Sequence, residues 1–148
     1  MPYFSIPVLE DDRRTDLLSV LHYYLITLRA EEAVLKPDAT QLKAVIDLLQ
    51  KVQATKAQEK LNLSSEEFSI LYSGAQYMML GMTGTRGKAY VDRLLGDKQS
   101  EEIKKEQVEY FRDTCMYLVN ECNSRFAELA DFALLRNKVE KTLKTLPH

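Results

Sequence analysis

The sequence predicts an all-α fold, a four- to five-helix antiparallel bundle with a long C-terminal helix. Apolar residues recur at spacings of three and four, which is typical of helices packed on other helices. The clearest run lies in the last third of the chain and places these residues on one inward face: Val108, Phe111, Cys115, Leu118, Cys122, Arg125, Leu129, Phe132, Arg136, Val139, Leu143 and Leu146. The composition, 45% hydrophobic and 28% charged, is that of an ordinary globular protein.

The length of 148 residues suits one domain with a hydrophobic core, and we predict a single domain over residues 1–148. The net charge of −2 gives no overall attraction to nucleic acid or to anionic lipid. No uncharged apolar stretch approaches the roughly 18 residues of a membrane span. The first residues also lack the basic segment of a signal peptide, so we expect a cytoplasmic protein without membrane contact.

Residues 1–10 contain two prolines and alternating apolar residues, and we predict an extended N-terminal arm that docks on its own domain. The first helix is predicted from about Asp12 to Lys36, because Pro37 disfavours helical geometry in the residue before it. Glu32 is the one carboxylate on the inward face predicted for this helix.

The second helix is predicted from Asp38 or Thr40 to Asn62, with its second half more exposed because large apolar residues disappear after Val52. Ser64 and Glu67 have the spacing of a capping box, which predicts that a third helix begins there.

The third helix is predicted to end at a glycine-rich turn over residues 81–87. A short helix follows from Lys88 to Leu95, and Gly96 fits its C-cap. Gly74, inside the third helix, predicts close approach of a neighbouring helix or a bulky ring, since glycine costs about 1 kcal/mol in a helix relative to alanine.

The last helix is predicted from Ser100 to Leu146. It is predicted to continue through Asn123 and Ser124, because the spacing of apolar residues does not change there although both residues have low helix propensity. At 1.5 Å per residue it would be roughly 67 Å long, about twice the span of a compact domain of this size. An apolar stripe that protrudes from the domain favours self-association, so we predict a homodimer.

Two arginines, Arg125 and Arg136, interrupt the inward face of this helix. A buried unpaired arginine is too costly to expect, and Glu32 is the leading candidate for their partner. In the alternative interpretation the two arginines line a polar seam or pocket that accepts an anionic group or an acidic partner.

The glycine-rich turn is the one segment that suggests nucleotide or nucleic-acid binding. It does not fit a phosphate-binding Walker loop, because five residues separate Gly81 from Gly87 and alanine follows Lys88. In the alternative interpretation Arg86, Lys88 and Arg93 contact nucleic-acid phosphates around a GxxG loop of the kind that KH domains use. The sheet of that fold has no candidate segments here, and a simple turn is the favoured interpretation.

Methionines crowd the third helix, and Met78 and Met82 are candidate contacts for an apolar ligand or a partner helix. Core packing is the favoured interpretation of the same residues.

Catalytic and metal-binding patterns are sparse in the sequence. The two histidines, His22 and His148, lie far apart, and no HExxH or ExxH motif is present. Cys115 and Cys122 would lie about 10 Å apart along one helix, too far to form a disulfide with each other, which suits a reducing compartment. We therefore predict no catalytic residues, no metal and no cofactor.

The function predicted from these observations is that of a non-enzymatic interaction or regulatory protein that acts through helix–helix contacts as a homodimer or with another protein. The first alternative is a nucleic-acid-associated regulator that contacts phosphates through the Gly81–Lys88 loop. The second alternative is a small-ligand-binding bundle.

Overall fold

The all-α fold class is confirmed by a computed structural model, which describes residues 4–96, 98–126 and 130–146. The elements in the described residues are β1 (Phe4–Ile6), α1 (Asp11–Ala30), α2 (Glu32–Leu35), α3 (Ala39–Ala54), β2 (Leu61–Leu63), α4 (Ser65–Gly81), α5 (Thr85–Leu95), α6 (Glu101–Phe126) and α7 (Ala130–Leu143). They group into two compact units, an N-terminal unit of residues 1–74 and a C-terminal unit of residues 75–148. That they fold together as one domain stays a prediction.

The N-terminal arm docks on its own unit, as predicted. β1 pairs antiparallel with β2 in a two-stranded sheet. Beyond the strand, the Leu9 backbone N–H donates to the Glu59 carbonyl at 2.8 Å, and its carbonyl accepts from the Gln58 N–H at 2.7 Å. The Leu9 side chain is fully buried, so it anchors the arm in the core. Residues 1–3 of the predicted arm lie outside the described residues.

The first helix ends earlier than predicted. α1 stops at Ala30, and α2 follows as a separate single turn that Lys36 closes with a left-handed backbone at φ 47°. Glu32 opens this turn and is exposed to solvent. The predicted inward position of Glu32 is therefore wrong. The prediction assumed that the spacing of apolar residues in α1 continues to Glu32, but α1 ends at Ala30.

The second helix also ends earlier than predicted, at Ala54 instead of Asn62. Its start is fixed by Asp38, whose carboxylate accepts the Gln41 N–H at 2.7 Å. At its other end, the Arg14 guanidinium of α1 donates to the carbonyls of Gln53 and Thr55. The polar residues that follow form a loop leading into β2, because they offer no apolar face to bury.

The core of the N-terminal unit forms where α1 packs on α3 and where the first half of α4 meets α1. A Cβ built on Gly74 would lie 3.2 Å from Tyr24 Cβ and 3.2 Å from Val20 Cγ1, which confirms the close approach predicted for this glycine. Burial raises the pKa of Tyr24, while hydrogen bonds with Gln41 and Ser73 lower it in part. The Tyr24 hydroxyl therefore links α1 to α3 and α4.

The predicted capping box at the start of α4 is confirmed. The Glu67 N–H donates to Ser64 Oγ at 3.1 Å, and the Ser64 N–H donates to Glu67 Oε1 at 2.9 Å. Lys51 Nζ of α3 lies 2.9 Å from the same carboxylate oxygen. Partial burial by itself raises the pKa of Glu67, but the Ser64 hydrogen bonds and Lys51 lower it by more, so the net pKa lies below the ordinary value of 4.5.

We expect Glu67 to contribute to stability in a pH-dependent way. Because its folded-state pKa is depressed, its stabilisation is fully present above pH 4.5 and is lost as the pH falls through the folded-state pKa. Glu67→Gln keeps the cap and loses the Lys51 pair, so it should cost up to about 1 kcal/mol at pH 7. Urea unfolding of both proteins at pH 7 and pH 3 measures this difference. If the two proteins differ in free energy of unfolding by as much at pH 3 as at pH 7, the predicted pH dependence is contradicted.

The C-terminal unit contains the predicted long helix as two helices, α6 and α7, and residues 127–129 between them lie outside the described residues. α6 is continuous through Asn123 and Ser124, as predicted. The ring centroids of Phe126 and Phe132 lie 6.1 Å apart.

The predicted inward face of the last helix is confirmed in part. The buried positions among those predicted are Phe111, Cys115, Phe132, Val139 and Leu146. Arg136 is only half-buried, and the Arg125 side chain and Leu129 lie outside the described residues. With Glu32 exposed and Arg136 partly solvated, the proposed buried pairing of Glu32 with an arginine loses its physical basis.

Candidate functional site

The turn between α4 and α5 brings two helices together at a glycine. A Cβ built on Gly87 would lie 2.5 Å from the Gly81 carbonyl oxygen and 2.6 Å from Met82 Cα, both backbone atoms. Only glycine permits this approach, which supports the interpretation of the glycine-rich segment as a turn. The helix α5 begins at Thr85, three residues before the predicted Lys88, and its first turn therefore contains Arg86 and Gly87.

Gly84 is the N-cap of α5 and has an extended backbone, with φ −135° and ψ −164°. Any residue adopts this conformation, so the backbone geometry here does not require glycine. No side chain accepts a hydrogen bond from the first turn of α5 at this cap. The start of α5 consequently keeps backbone N–H groups that a side-chain cap would otherwise satisfy.

Beside this turn lies a pocket of about 350 Å³ within the C-terminal unit. Thr83 and Gly84 line one side. The remaining lining residues come from the end of α4, from α5 and from the first turns of α6. Those with apolar side chains are Met82, Val91 and Val108, and those with charged side chains are Lys88, Glu101, Lys104 and Lys105.

The walls of the pocket are held by packing between α5 and α6. The rings of Tyr90 and Phe111 have centroids 6.0 Å apart, and both are buried. Val91 is completely buried next to them. At the start of α6, the Ser100 hydroxyl accepts the Ile103 N–H at 3.2 Å, as the sequence predicted for this N-terminus. These contacts fix the positions from which the lysines reach the pocket.

Lys104 is the most unusual of the charged residues, because only 9% of its side chain is exposed. Its ammonium lies 3.2 Å from Asp92 Oδ1. That oxygen is shielded from solvent, although 41% of the Asp92 side chain is exposed, so the two residues form a partly buried ion pair. Lys88 lies 3.8 Å from Glu101, and both side chains are mostly exposed, so solvent screens that pair strongly.

Among the predicted contact residues whose side chains the structure describes, Lys88 and Met82 line this pocket. Met78 is completely buried, as the core interpretation expects, and its role as a ligand or partner contact stays a prediction. Arg86 is half-buried, Arg93 is exposed, and neither lines the pocket.

Lys104 and Lys105 were missed by sequence reasoning. Lys104 precedes Val108 by four residues and Phe111 by seven, so it continues the inward face of α6 towards the N-terminus. A lysine at such a position is a detectable signal, and extending the apolar stripe by one more turn would have found it.

A second feature is the outer face of α6, where three large side chains lie at intervals of seven: Ile103, Tyr110 and Tyr117. Their exposed fractions are 46%, 47% and 52%. Residues seven apart return to nearly the same side of a helix, so the three form one stripe, named here the α6 stripe. Acidic residues border it on one side, and all of them are exposed: Glu102, Glu106, Glu109 and Asp113.

The outer face of α7 has the opposite charge. Leu134 is 69% exposed, the largest exposed fraction among the described large apolar residues. Lys138 and Lys141 follow it at spacings of four and seven on the same face, and both are exposed. We name this set the α7 basic face.

The described residues contain no group of three or more His, Cys, Asp or Glu side chains placed to hold a metal ion. His22 is exposed, Cys115 is buried and Cys122 is half-buried. No helix in the described ranges combines the length and apolar character needed to cross a membrane. No known protein family, curated protein or solved structure matches this chain.

Proposed function

We propose that this protein is a non-enzymatic, cytoplasmic interaction protein that acts through helix–helix contacts and forms a homodimer. The observation that carries the proposal is the α6 stripe, a row of Ile103, Tyr110 and Tyr117 that is half exposed on a regular helix. Aromatic residues are enriched in protein interfaces, because a ring offers large contact area at low cost in side-chain entropy.

Charge complementarity favours a second copy of this chain as the partner. The acidic border of the α6 stripe is opposite in charge to the α7 basic face, and each surface contains an exposed apolar centre. In a twofold dimer the α6 stripe of each protomer faces the α7 basic face of the other, so the contact is made twice. Pairing of α6 with α6 is disfavoured, because it would bring two acidic borders together.

The area available indicates a dimer of moderate affinity. A tyrosine buries about 150–250 Å² when it is covered completely, and the tyrosines of the α6 stripe are already half covered. A standard interface buries about 800 Å² per partner, so the stripe alone supplies only part of such an area. The α6 stripe and Leu134 therefore supply the apolar centre of an interface whose rim is polar. We expect dissociation in the micromolar range, roughly 8 kcal/mol of binding free energy.

We expect Tyr117→Asp to weaken the dimer at least about tenfold, because it buries a carboxylate in the apolar centre of the interface. Sedimentation velocity from about 1 µM to about 100 µM protein measures the dissociation constant. Val34→Asp is the matched control, since Val34 is 45% exposed on α2 and lies on neither proposed surface. A wild-type protein that stays monomeric throughout this range contradicts the homodimer, as does equal weakening by the two substitutions.

The alternative of a nucleic-acid-associated regulator has one observation in its favour, the convergence of Lys88, Lys104 and Lys105 on one pocket. The acidic border of the α6 stripe begins on the same helix and would repel a polyanion lying across this surface. Lys88 also has Glu101 beside it. The geometry therefore favours the interaction protein over the nucleic-acid-associated regulator.

A further inference from the structure

We propose that the pocket beside the α4–α5 turn binds a small organic anion, in which a carboxylate or phosphate ester is joined to a short apolar chain. This proposal is independent of the homodimer, because the pocket lies within one protomer and its lining does not include the α6 stripe.

The nearly buried side chain of Lys104 is the first argument. Its ammonium has three N–H donors, and its ion-pair partner among the described residues is Asp92 Oδ1 at 3.2 Å. Buried charged groups in proteins are as a rule both paired and hydrogen-bonded, because the loss of hydration is otherwise costly. An anionic group in the pocket would offer acceptors to the N–H donors that one carboxylate oxygen does not take.

The charge balance of the pocket is the second argument. Lys88, Lys104 and Lys105 contribute three positive charges to the lining, whereas Glu101 of the lining and Asp92 beside Lys104 contribute two negative charges, which leaves an excess of one positive charge. The chain as a whole is negative, with a net charge of −2, so this pocket is a local exception. The uncapped first turn of α5 at Gly84 adds N–H donors at the same end, where a helix favours negative charge.

The size and the apolar lining define the rest of the ligand. A volume of about 350 Å³ is at the lower end of small-molecule sites, which span about 300–1,000 Å³. Val108 is half-buried and gives the pocket apolar surface that free phosphate would leave uncovered, whereas the other two apolar lining residues, Met82 and Val91, are almost completely buried. The pocket therefore suits an amphiphilic anion better than an inorganic ion.

The proposal is tested by calorimetric titration of the full chain with hexanoate, hexyl phosphate, inorganic phosphate and hexylammonium. We expect saturable binding of hexanoate or hexyl phosphate, with the better of the two binding at least about tenfold more tightly than inorganic phosphate and hexylammonium. Which of the two binds better distinguishes a carboxylate ligand from a phosphate ester. No saturable binding of either, or equal binding of hexylammonium, overturns the proposal.

Two substitutions at Gly84 locate the binding site. Gly84→Asp places a carboxylate at the N-cap of α5 and should weaken binding at least about tenfold, while a better cap keeps the protein folded. Gly84→Asn provides a similar cap and occupies the same N–H groups without adding a charge, so it should weaken binding less than Gly84→Asp does. Equal effects of the two substitutions overturn the assignment of an anion to this end of the pocket.

Lysine substitutions provide a second, independent readout. Lys104→Met should weaken binding of the better anion at least about tenfold, and Lys138→Met, an exposed lysine on α7, should leave it unchanged. If Lys104→Met does not fold, Lys88→Met replaces it, because Lys88 is mostly exposed and also lines the pocket. Unchanged binding in the lysine variant, or tight salt-sensitive binding of a single-stranded oligonucleotide at this pocket, overturns the proposal.

Discussion

Replacing Gly87 by alanine is expected to destabilise the protein by about 3 kcal/mol. The added Cβ would lie 2.5 Å from the Gly81 carbonyl oxygen and 2.8 Å from the Gly81 carbonyl carbon, well inside normal contact distance. Because both atoms are backbone, no side-chain rotation relieves the clash, and α5 must move away from the end of α4. Helix propensity alone predicts the opposite sign, a gain of about 1 kcal/mol for alanine.

Gly74→Ala is the matched control, because it is also a glycine inside a helix packed against a neighbour. Its Cβ would lie 3.2 Å from side-chain atoms of Tyr24 and Val20, which can shift by a few tenths of an ångström. We expect this substitution to change stability by less than about 1 kcal/mol, since propensity offsets the crowding. Urea unfolding of both variants measures the difference. Similar stabilities for the two variants would show that the approach at Gly87 is not as close as described.

Leu9→Ala should destabilise the protein by about 3 kcal/mol, because it removes a fully buried side chain and leaves a cavity. It also loosens the arm, whose backbone bonds to Glu59 and Gln58 depend on Leu9 being seated in the core. Thermal unfolding measures the loss. Val8→Ala is the control: Val8 is 50% exposed, and the substitution should cost less than about 0.5 kcal/mol. Equal costs at the two positions would contradict docking of the arm.

The helices were predictable where local signals and apolar spacing agreed. The capping box of Ser64 and Glu67, the C-cap at Gly96 and the N-terminus at Ser100 are all confirmed. Each depends on one side chain or one backbone conformation and needs no knowledge of distant residues.

Helix ends were less predictable where tertiary contacts decide them. α3 ends at Ala54 because the chain turns into β2, which pairs with β1 some 57 residues earlier in the chain. Three-residue strands in an otherwise helical chain give too short a pattern to recognise.

The candidate pocket was only partly predictable. The loop residues Met82 and Lys88 were identified from the glycine-rich segment, but Lys104 and Lys105 come from a different helix. Their meeting depends on how α5 packs against α6, which Gly87 and the Tyr90–Phe111 contact determine. The inward face predicted for the last helix begins at Val108, one turn after Lys104, so it did not include this nearly buried lysine.

The homodimer is tested most directly by a charge exchange between its two proposed surfaces, measured by sedimentation velocity. We expect Glu106→Lys and Lys141→Glu each to raise the dissociation constant about three- to tenfold, since each places like charges opposite one another. The protein carrying both substitutions should regain a dissociation constant close to that of the wild type, because the opposite charges are restored with their positions exchanged. Single substitutions without effect, or a double variant as weak as the sum of both losses, would contradict pairing of the α6 stripe with the α7 basic face.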